Sequence, residues 1–126
     1  RTHLDCSLQI DHVPEVDNPL ATAVYRIVQE AMTNALRHAQ ATRVEVALAS
    51  RDQSELEIRV RDNGIGFDPT LAENAQSLGI TGMQERANLV GGRLVFHTAP
   101  GQGTEVLCQV PLAAFDLSSD LCLEAL

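Results

Sequence analysis

The chain has 126 residues, a size typical of one domain, and 44% of them are hydrophobic, although only 3% are aromatic, so its core must be aliphatic. Its net charge of −8, without any basic run, argues against a nucleic-acid-binding protein. It has no Lys, which excludes P-loop nucleotide sites, protein kinases of the Gly-rich-loop type and Schiff-base enzymes.

The first half of the chain contains three predicted strands and one long helix. Residues 3–10, HLDCSLQI, alternate apolar and polar side chains and predict a strand whose apolar positions share one face. Asn18-Pro19 then opens a helix that runs to about Ala39. Two further alternating segments, 43–49 and 55–61, are joined by a polar link and predict a hairpin.

The second half begins with a polar, aperiodic stretch, Asp68–Ser77, for which we expect a loop. A helix is predicted from about Ile80 to Val90, with Gly91-Gly92 as its C-terminal stop. Two strands, 93–98 and 104–110, follow around the tight turn APGQG. Runs of strands beside helices predict an α+β fold, a two-layer α/β sandwich.

The long helix carries a polar line of side chains besides its apolar face. At 100° per residue, four polar residues fall together opposite the apolar stripe: Arg26, Glu30, Asn34 and Arg37. A solvated face with a Glu–Arg pair explains the charges, but Asn is a poor choice in an exposed helix. Its amide oxygen suits Mg²⁺ as a ligand. Glu30, one turn away, is placed to hold a metal-bound water or to accept a proton.

The segment RDNGIGF, residues 61–67, permits two interpretations. Asn63-Gly64 after a strand pattern is typical of a hairpin turn. The spacing of Asp62, Gly64 and Gly66 also fits a ligand site, because glycine lets the backbone approach a bound group and a carboxylate accepts hydrogen bonds from it. The local sequence leaves both open.

Two glycines, Gly79 and Gly82, are predicted at the start of the second helix. A helix N-terminus offers free N–H groups and a partial positive charge, so a phosphate could be bound there without a Lys. A flexible loop before an ordinary helix is the alternative. After the Gly-x-Gly of GQGTEV, Thr104 enters the last strand, where its hydroxyl could point into a pocket.

Four segments in this order, QEAMTNALRHA, DNGIGF, LGITGMQERANLVGG and GQGTEV, resemble the ATP-binding catalytic domain of sensor histidine kinases. These kinases share the Bergerat ATP-binding fold with gyrase, the Hsp90 chaperones and MutL. The resemblance covers about Ala21 to Leu112 and is nearest in wording to the nitrate/nitrite-sensor type. It implies an ATP-binding domain over residues 1–112, a tail over 113–126, and a mixed, mostly antiparallel sheet with helices on one face.

The resemblance also implies roles for individual residues. Asn34 would coordinate Mg²⁺ that bridges the ATP phosphates, and Glu30 would polarise the incoming nucleophile or position a water. Asp62 would accept a hydrogen bond from the adenine amino group. The other binding roles would fall to Arg37 and His38 near the phosphates, Gly64 and Gly66 around the base, Gly79 and Gly82 at the ATP lid and phosphate-contacting helix start, and Thr104 on the adenine side. The lid between Phe67 and Leu78 should be short, and mobile without nucleotide.

In such kinases the γ-phosphate passes to a histidine on a dimerising helical hairpin, and then to a response regulator. We find no acceptor histidine of that kind here, because His3 and His12 lie in strand and loop contexts. We therefore expect a catalytic domain alone, monomeric when isolated. The separated cysteines and the lack of an apolar run of roughly 18 residues favour a cytoplasmic domain of a larger bacterial sensor kinase, even a membrane-anchored one.

Two other functions stay open at this point. One is a serine kinase of the anti-sigma-factor type, which has the same fold and acts on a protein Ser. The other is a non-catalytic nucleotide-binding module that keeps the fold without the chemistry. The resemblance of the motifs to the nitrate/nitrite-sensor type argues against the serine kinase, and the presence of Glu30, Asn34, Asp62 and the glycines argues against the non-catalytic module.

Overall fold

A computed structural model describes residues 4–52, 54–66 and 75–112, with the backbone alone for 75–78. The described part contains five strands and two helices in the predicted order. In chain order they are β1 (Asp5–Asp11), α1 (Asn18–Arg37), β2 (Arg43–Arg51), β3 (Glu55–Asp62), α2 (Ala75–Leu89), β4 (Arg93–Thr98) and β5 (Thr104–Pro111).

The strands form one mixed sheet in the order β1-β2-β3-β5-β4. β1 runs parallel to β2, which is possible because α1 forms the crossover between them. The pairs β2–β3, β3–β5 and β4–β5 are antiparallel, so both predicted hairpins are confirmed. Asp62, the last residue of β3, pairs with Thr104, the first residue of β5, at one end of the sheet.

One face of the sheet is apolar and is covered by both helices, as the predicted two-layer sandwich requires. Alternate positions of β2, β3 and β5 are buried, while α1 and α2 contribute residues such as Ile27, Ala31, Met83 and Ala87. The core is aliphatic, as expected. The buried strand residues are Val44, Val46, Leu56, Ile58, Val60, Val106, Cys108 and Val110.

The opposite face of the sheet is polar. Arg61 donates to the Glu105 carboxylate at 3.0 Å, and Arg59 lies 3.3 Å from the same group. Glu57 lies 3.5 Å from Arg51, and Gln109 donates to it at 3.5 Å. Acids and bases alternate here, so this face has no continuous basic surface.

Helix α1 begins as predicted and ends slightly earlier. The Asp17 carboxylate accepts a hydrogen bond from the Leu20 N–H at 3.0 Å and caps the N-terminus. The last helical residue is Arg37, and His38 follows as the C-cap with its N–H donated to the Asn34 carbonyl. At 20 residues α1 is the longer helix, and neither described helix combines the length and apolarity that a membrane crossing needs.

Helix α2 begins five residues before the predicted start. It covers Ala75–Leu89, so the polar stretch assigned to a loop supplies its first turn. The glycines suggested a later beginning, but Ala, Gln, Ser and Leu at 75–78 are ordinary helix residues and continue the helix upstream. Its end agrees with the prediction, because Gly92 donates to the Ala87 carbonyl at 2.8 Å. The rest of the predicted lid loop and the tail 113–126 lie outside the described residues.

Candidate functional site

Asp62 is the buried charged residue at the end of β3, with only 9% of its surface exposed. Its carboxylate accepts a hydrogen bond from the Gly64 N–H at 2.7 Å and another from the Thr104 N–H. Burial raises the pKa of this carboxyl above its ordinary value, and the two backbone donors lower it in part. Such a buried acceptor is suited to one donor group of a ligand.

The residues after Asp62 do not form a hairpin turn; they join two other loops. The Ile65 N–H donates to the Ala39 carbonyl at 2.8 Å, and the Gly101 N–H donates to the Ile65 carbonyl at 2.5 Å. A Cβ on Gly64 would lie 2.5 Å from the Cβ and carbonyl oxygen of Ala39. Close backbone packing therefore explains Gly64 and fixes the segment beside Asp62.

Asn63 has a role that the sequence reasoning missed. Its side-chain oxygen accepts hydrogen bonds from the Thr42 and Arg43 N–H groups at 2.9 and 3.0 Å, and its amide donates to the Thr42 hydroxyl at 2.9 Å. These bonds attach the segment to the start of β2. The readiness of Asn side chains to bond nearby backbone was a usable signal, but its partners lie twenty residues away in sequence, so only the fold identifies them.

Asn34 faces the same cavity as Asp62. It lies on α1, where its backbone carbonyl accepts hydrogen bonds from the His38 and Ala39 N–H groups at 3.0 Å. Its side-chain oxygen is buried and has no hydrogen-bond partner among the residues that the structure describes. A buried polar atom without a partner is costly to a fold, so it marks a position where a ligand atom is expected. The cavity is lined by Ala31, Asn34, Ala39, Val60, Asp62, Ile80, Met83, Thr104 and Val106.

Thr104, the first residue of β5, also lines the cavity. Its hydroxyl lies 2.9 Å from the Thr98 hydroxyl, and the Thr98 hydroxyl in turn donates to the Gly103 carbonyl at 3.2 Å. The cavity therefore offers apolar walls from the core, one carboxylate, one hydroxyl and one free amide oxygen. These are the kinds of groups that contact a flat apolar ligand carrying a hydrogen-bond donor, with a polar extension towards Asn34. The cavity has a volume of about 10 Å³, that of one water, so its walls must move apart to admit such a ligand.

Glu30 lies in a second groove, between α1 and α2. That groove is lined by Arg26, Gln29, Glu30, Gly79, Gly82, Met83 and Arg86. A Cβ on Gly79 would lie 2.5 Å from Glu30 Oε2. Met83 lines both this groove and the Asp62 cavity, so the two spaces are neighbours.

The prediction that Gly79 and Gly82 stand at the start of the helix is wrong, because α2 begins at Ala75. From Gly79 onward each N–H faces a carbonyl four residues earlier within the helix. These N–H groups are therefore used by the helix itself and are not free for a phosphate. What Gly79 provides is room for Glu30.

The other predicted site residues lie around this region. Arg37 is exposed at the end of α1, and His38 is half-buried; neither lines the two spaces just described. Gly66 is buried with φ +66°, a left-handed conformation that favours glycine. The structure thus brings Asn34, Asp62 and Thr104 together in one space and Glu30 and Gly79 in the other. Arg37 and His38 lie outside both spaces.

Comparison with known proteins shows the family of this chain. The family model for histidine kinase-, DNA gyrase B- and HSP90-like ATPases matches residues 20–114. An uncharacterized sensor-like histidine kinase of Chloroflexus aurantiacus is 37% identical over 94 residues, which cover 71% of this chain and 16% of that protein. The signal transduction histidine-protein kinase/phosphatase DegS of Brevibacillus brevis is 38% identical over 90 residues, 71% of this chain and 23% of that protein. The chain thus spans less than a quarter of either relative.

Solved structures share the fold. The histidine kinase domain of the blue-light activated histidine kinase EL346 from Erythrobacter litoralis superposes with a TM-score of 0.68 at 28% identity, covering 90% of this chain and 54% of that one. Full-length ShkA, solved in complex with AMPPNP, gives a TM-score of 0.69 at 18% identity, covering 86% of this chain and 25% of that one. At that identity the second likeness concerns the fold alone.

Proposed function

The chain belongs to the family of histidine kinase-, DNA gyrase B- and HSP90-like ATPases, and from this membership we propose that it is the ATP-binding catalytic domain of a two-component sensor histidine kinase. It binds Mg-ATP and donates the γ-phosphate to a histidine on a dimerisation domain. The observation that carries the proposal is the buried, unpartnered side-chain oxygen of Asn34, which lines the same cavity as the buried Asp62.

The Asp62 end of the cavity binds the adenine base. Its carboxylate accepts a hydrogen bond from the base's amino group, while Ala31, Ala39 and Val60 supply apolar contact to the ring faces. Gly64 and Gly66 hold the neighbouring backbone in place, and the Thr104 hydroxyl reaches the base through the same cavity. A carboxylate repels the carbonyl that guanine carries at the corresponding position, so this end selects ATP over GTP.

The residues present fit a magnesium ion. A neutral amide oxygen is a ligand that Mg²⁺ accepts, and the Asn34 oxygen has no competing partner within residues 4–52, 54–66 and 75–112. Asn34 would hold the ion together with phosphate and water oxygens. When bound, Mg²⁺ neutralises charge on the ATP phosphates. Arg37 and His38, one turn further along α1, add positive charge and a hydrogen-bond donor on the phosphate side.

Glu30 acts on the nucleophile. The lone pair of the acceptor imidazole forms a bond to the γ-phosphorus, the bond from that phosphorus to the bridging oxygen breaks, and ADP leaves. The Glu30 carboxylate accepts a hydrogen bond from the N–H group of the same imidazole ring and takes the proton of that group as the N–P bond forms. Most of the rate enhancement comes from positioning, as in phosphoryl transfer generally.

The acceptor hairpin and the sensing part belong to the rest of a longer kinase, of which this chain is a monomeric, cytoplasmic part, and a separate response regulator receives the phosphoryl group from the histidine. The relatives support this assignment, because both are histidine kinases several times longer than the matched region. We therefore expect the chain alone to bind Mg-ATP and to turn it over very slowly, since its acceptor is supplied by another domain.

The test is a transfer experiment with ATP labelled on its γ-phosphate. The chain is incubated with a histidine-bearing dimerisation hairpin from the same gene or, in parallel, with an anti-anti-sigma protein that offers a Ser. We expect label on the hairpin that is lost in acid, because histidine phosphate is acid-labile. Acid-stable label on the second protein would instead establish the serine kinase. ATP binding without label on either protein would favour the non-catalytic nucleotide-binding module, and absence of ATP binding would refute all three functions.

A further inference from the structure

Gly79 lies against the Glu30 side chain, and the atoms that it faces are those at the carboxyl end of that side chain. A Cβ at Gly79 would lie 2.5 Å from Glu30 Oε2, 3.1 Å from Cδ and 3.3 Å from Cγ. All three atoms belong to the carboxyl end of one flexible side chain, and none belongs to the backbone. Helix α2 therefore passes so close to α1 that any side chain at position 79 would occupy the space of the Glu30 carboxylate.

We propose that Gly79 is a positioning residue for Glu30: it leaves the one space in which the carboxylate can point along the α1–α2 groove. This inference rests on the proposed role of Glu30. It gives Gly79 a function that differs from contact with phosphate, since the N–H of this residue lies inside α2.

Gly82 offers a matched comparison on the same helix. It is also in the interior of α2 and lines the same groove, but a Cβ there would meet no atom of the described residues within 4 Å. Replacing either glycine with Ala adds the same methyl group and gives the same gain in helix propensity. The two variants therefore differ in whether Glu30 is displaced.

The first measurement needs no nucleotide. Crystal structures of the parent, Gly79→Ala and Gly82→Ala are compared at Glu30. We expect the carboxylate to move by about 1 Å or more in Gly79→Ala, a displacement that matters for catalysis, and to stay in place in Gly82→Ala. A Glu30 that keeps its position in Gly79→Ala overturns the inference, whether or not the chain proves to be a kinase.

The second measurement tests the consequence. In the transfer experiment with the histidine hairpin, we expect Gly79→Ala to lower the rate roughly 10- to 100-fold, the range expected for a misplaced proton acceptor. Its Kd for Mg-ATP should stay within about twofold, because the base and magnesium positions are not touched. Thermal unfolding should show a midpoint no lower than that of the parent, since the obstructing group is mobile and can turn aside.

A double variant separates positioning from a general effect on the helix. If Gly79 acts through Glu30, adding Gly79→Ala to Glu30→Ala lowers the transfer rate no further, because the carboxylate is already gone. Equal fold-losses in the two backgrounds would show that Gly79 acts independently of Glu30. Parent protein that fails to bind Mg-ATP would refute the proposed function while leaving the crystallographic comparison to decide the contact.

Discussion

The two ends of the candidate site use glycine in different ways. At the Asp62 end, Gly64 lies against Ala39 and Gly66 lies against the Ala99 carbonyl, so each is opposed by backbone atoms that cannot move alone. At the Glu30 end, Gly79 is opposed by the tip of one side chain. A group added at the first end must deform the fold, whereas a group added at the second end should displace the Glu30 carboxylate and leave the fold intact.

Because of this difference, we expect variants at the Asp62 end to change the stability of the protein and variants at the Glu30 end to change the phosphoryl-transfer rate. The Asp62 end is built from loops held by backbone hydrogen bonds, among them Ile65 to Ala39 and Gly101 to Ile65. A substitution that changes the geometry of this end should therefore also lower the free energy of unfolding. The Glu30 end is built from two packed helices, and its function should be lost in the transfer rate before stability changes.

The largest effect is expected for Gly66→Ala. The left-handed φ of +66° is unfavourable for Ala by about 1–2 kcal/mol, and crowding against the Ala99 and Gly103 carbonyls adds about 1–3 kcal/mol. We expect the free energy of unfolding in denaturant to fall by the sum, roughly 2–5 kcal/mol.

Gly91→Ala is the control for that variant. Gly91 has a similar φ of +75°, and a Cβ there would meet nothing within 4 Å among the described residues. It should lose only the conformational part, about 1–2 kcal/mol. Equal losses in the two variants would contradict the view that backbone crowding fixes the Asp62 end, and would remove the contrast with Gly79.

Asn34→Ala should have the next largest effect, on nucleotide affinity. The variant removes the buried side-chain oxygen that has no partner in the described part of the chain, and it leaves the Asp62 carboxylate in place. Loss of even an outer-shell contact costs metal sites about 10- to 100-fold, so loss of the ligand should weaken Mg-ATP binding by about 100-fold or more. Calorimetric titration with and without Mg²⁺ measures this.

Thr22→Ala, on the exposed side of the same helix, is its control and should bind as the parent does. Normal Mg-ATP affinity in Asn34→Ala would remove the magnesium assignment. A loss of affinity that is the same with and without Mg²⁺ would show that Asn34 contacts the nucleotide directly. Asn34 would then belong to the part of the site that contacts the nucleotide and not to a magnesium site.

Local patterns predicted most of the fold. Alternation identified the five strands, and the Asn18-Pro19 start and the Gly91-Gly92 stop placed both helices on the chain. The predicted start of α2 is wrong, because Gly79 does not mark the boundary of the helix. Gly79 lies inside α2, at a position where a Cβ would meet the Glu30 side chain. A single sequence carries no mark that distinguishes a glycine required by a neighbour from one required by a turn.

The site residues could be grouped by sequence only in part. The i, i+4 line on α1 picked out Glu30 and Asn34 together, but the structure separates them into two neighbouring spaces. Asn63 was treated as turn chemistry, and its three hydrogen bonds to Thr42 and Arg43 depend on the pairing of β2 with β3. Long-range register decides such contacts, and periodicity within one segment does not contain it.

The smallest effect is expected for Asp62→Asn, and it concerns selectivity. The amide NH₂ can donate to the carbonyl of guanine, which the carboxylate repels, so the preference for ATP over GTP should fall by about tenfold, the value of one hydrogen bond to a charged group. Titration with both nucleotides measures this. Asp52→Asn, exposed in the β2–β3 turn at the far end of β3, should keep the parent's preference.

The same variant gives an independent check through pH. Because burial raises the folded-state pKa of Asp62 above the ordinary value of 3.8, the folded protein binds this proton more tightly than the unfolded chain. The resulting contribution to stability is fully present below pH 3.8 and is lost as the pH rises through the folded-state pKa. The free energy of unfolding of the parent, minus that of Asp62→Asn, should therefore decline across this window and level off above it. A difference that rises with pH there would mean that the hydrogen bonds from the two backbone donors lower the Asp62 pKa by more than burial raises it. The ionised Asp62 carboxylate would then stabilise the folded protein.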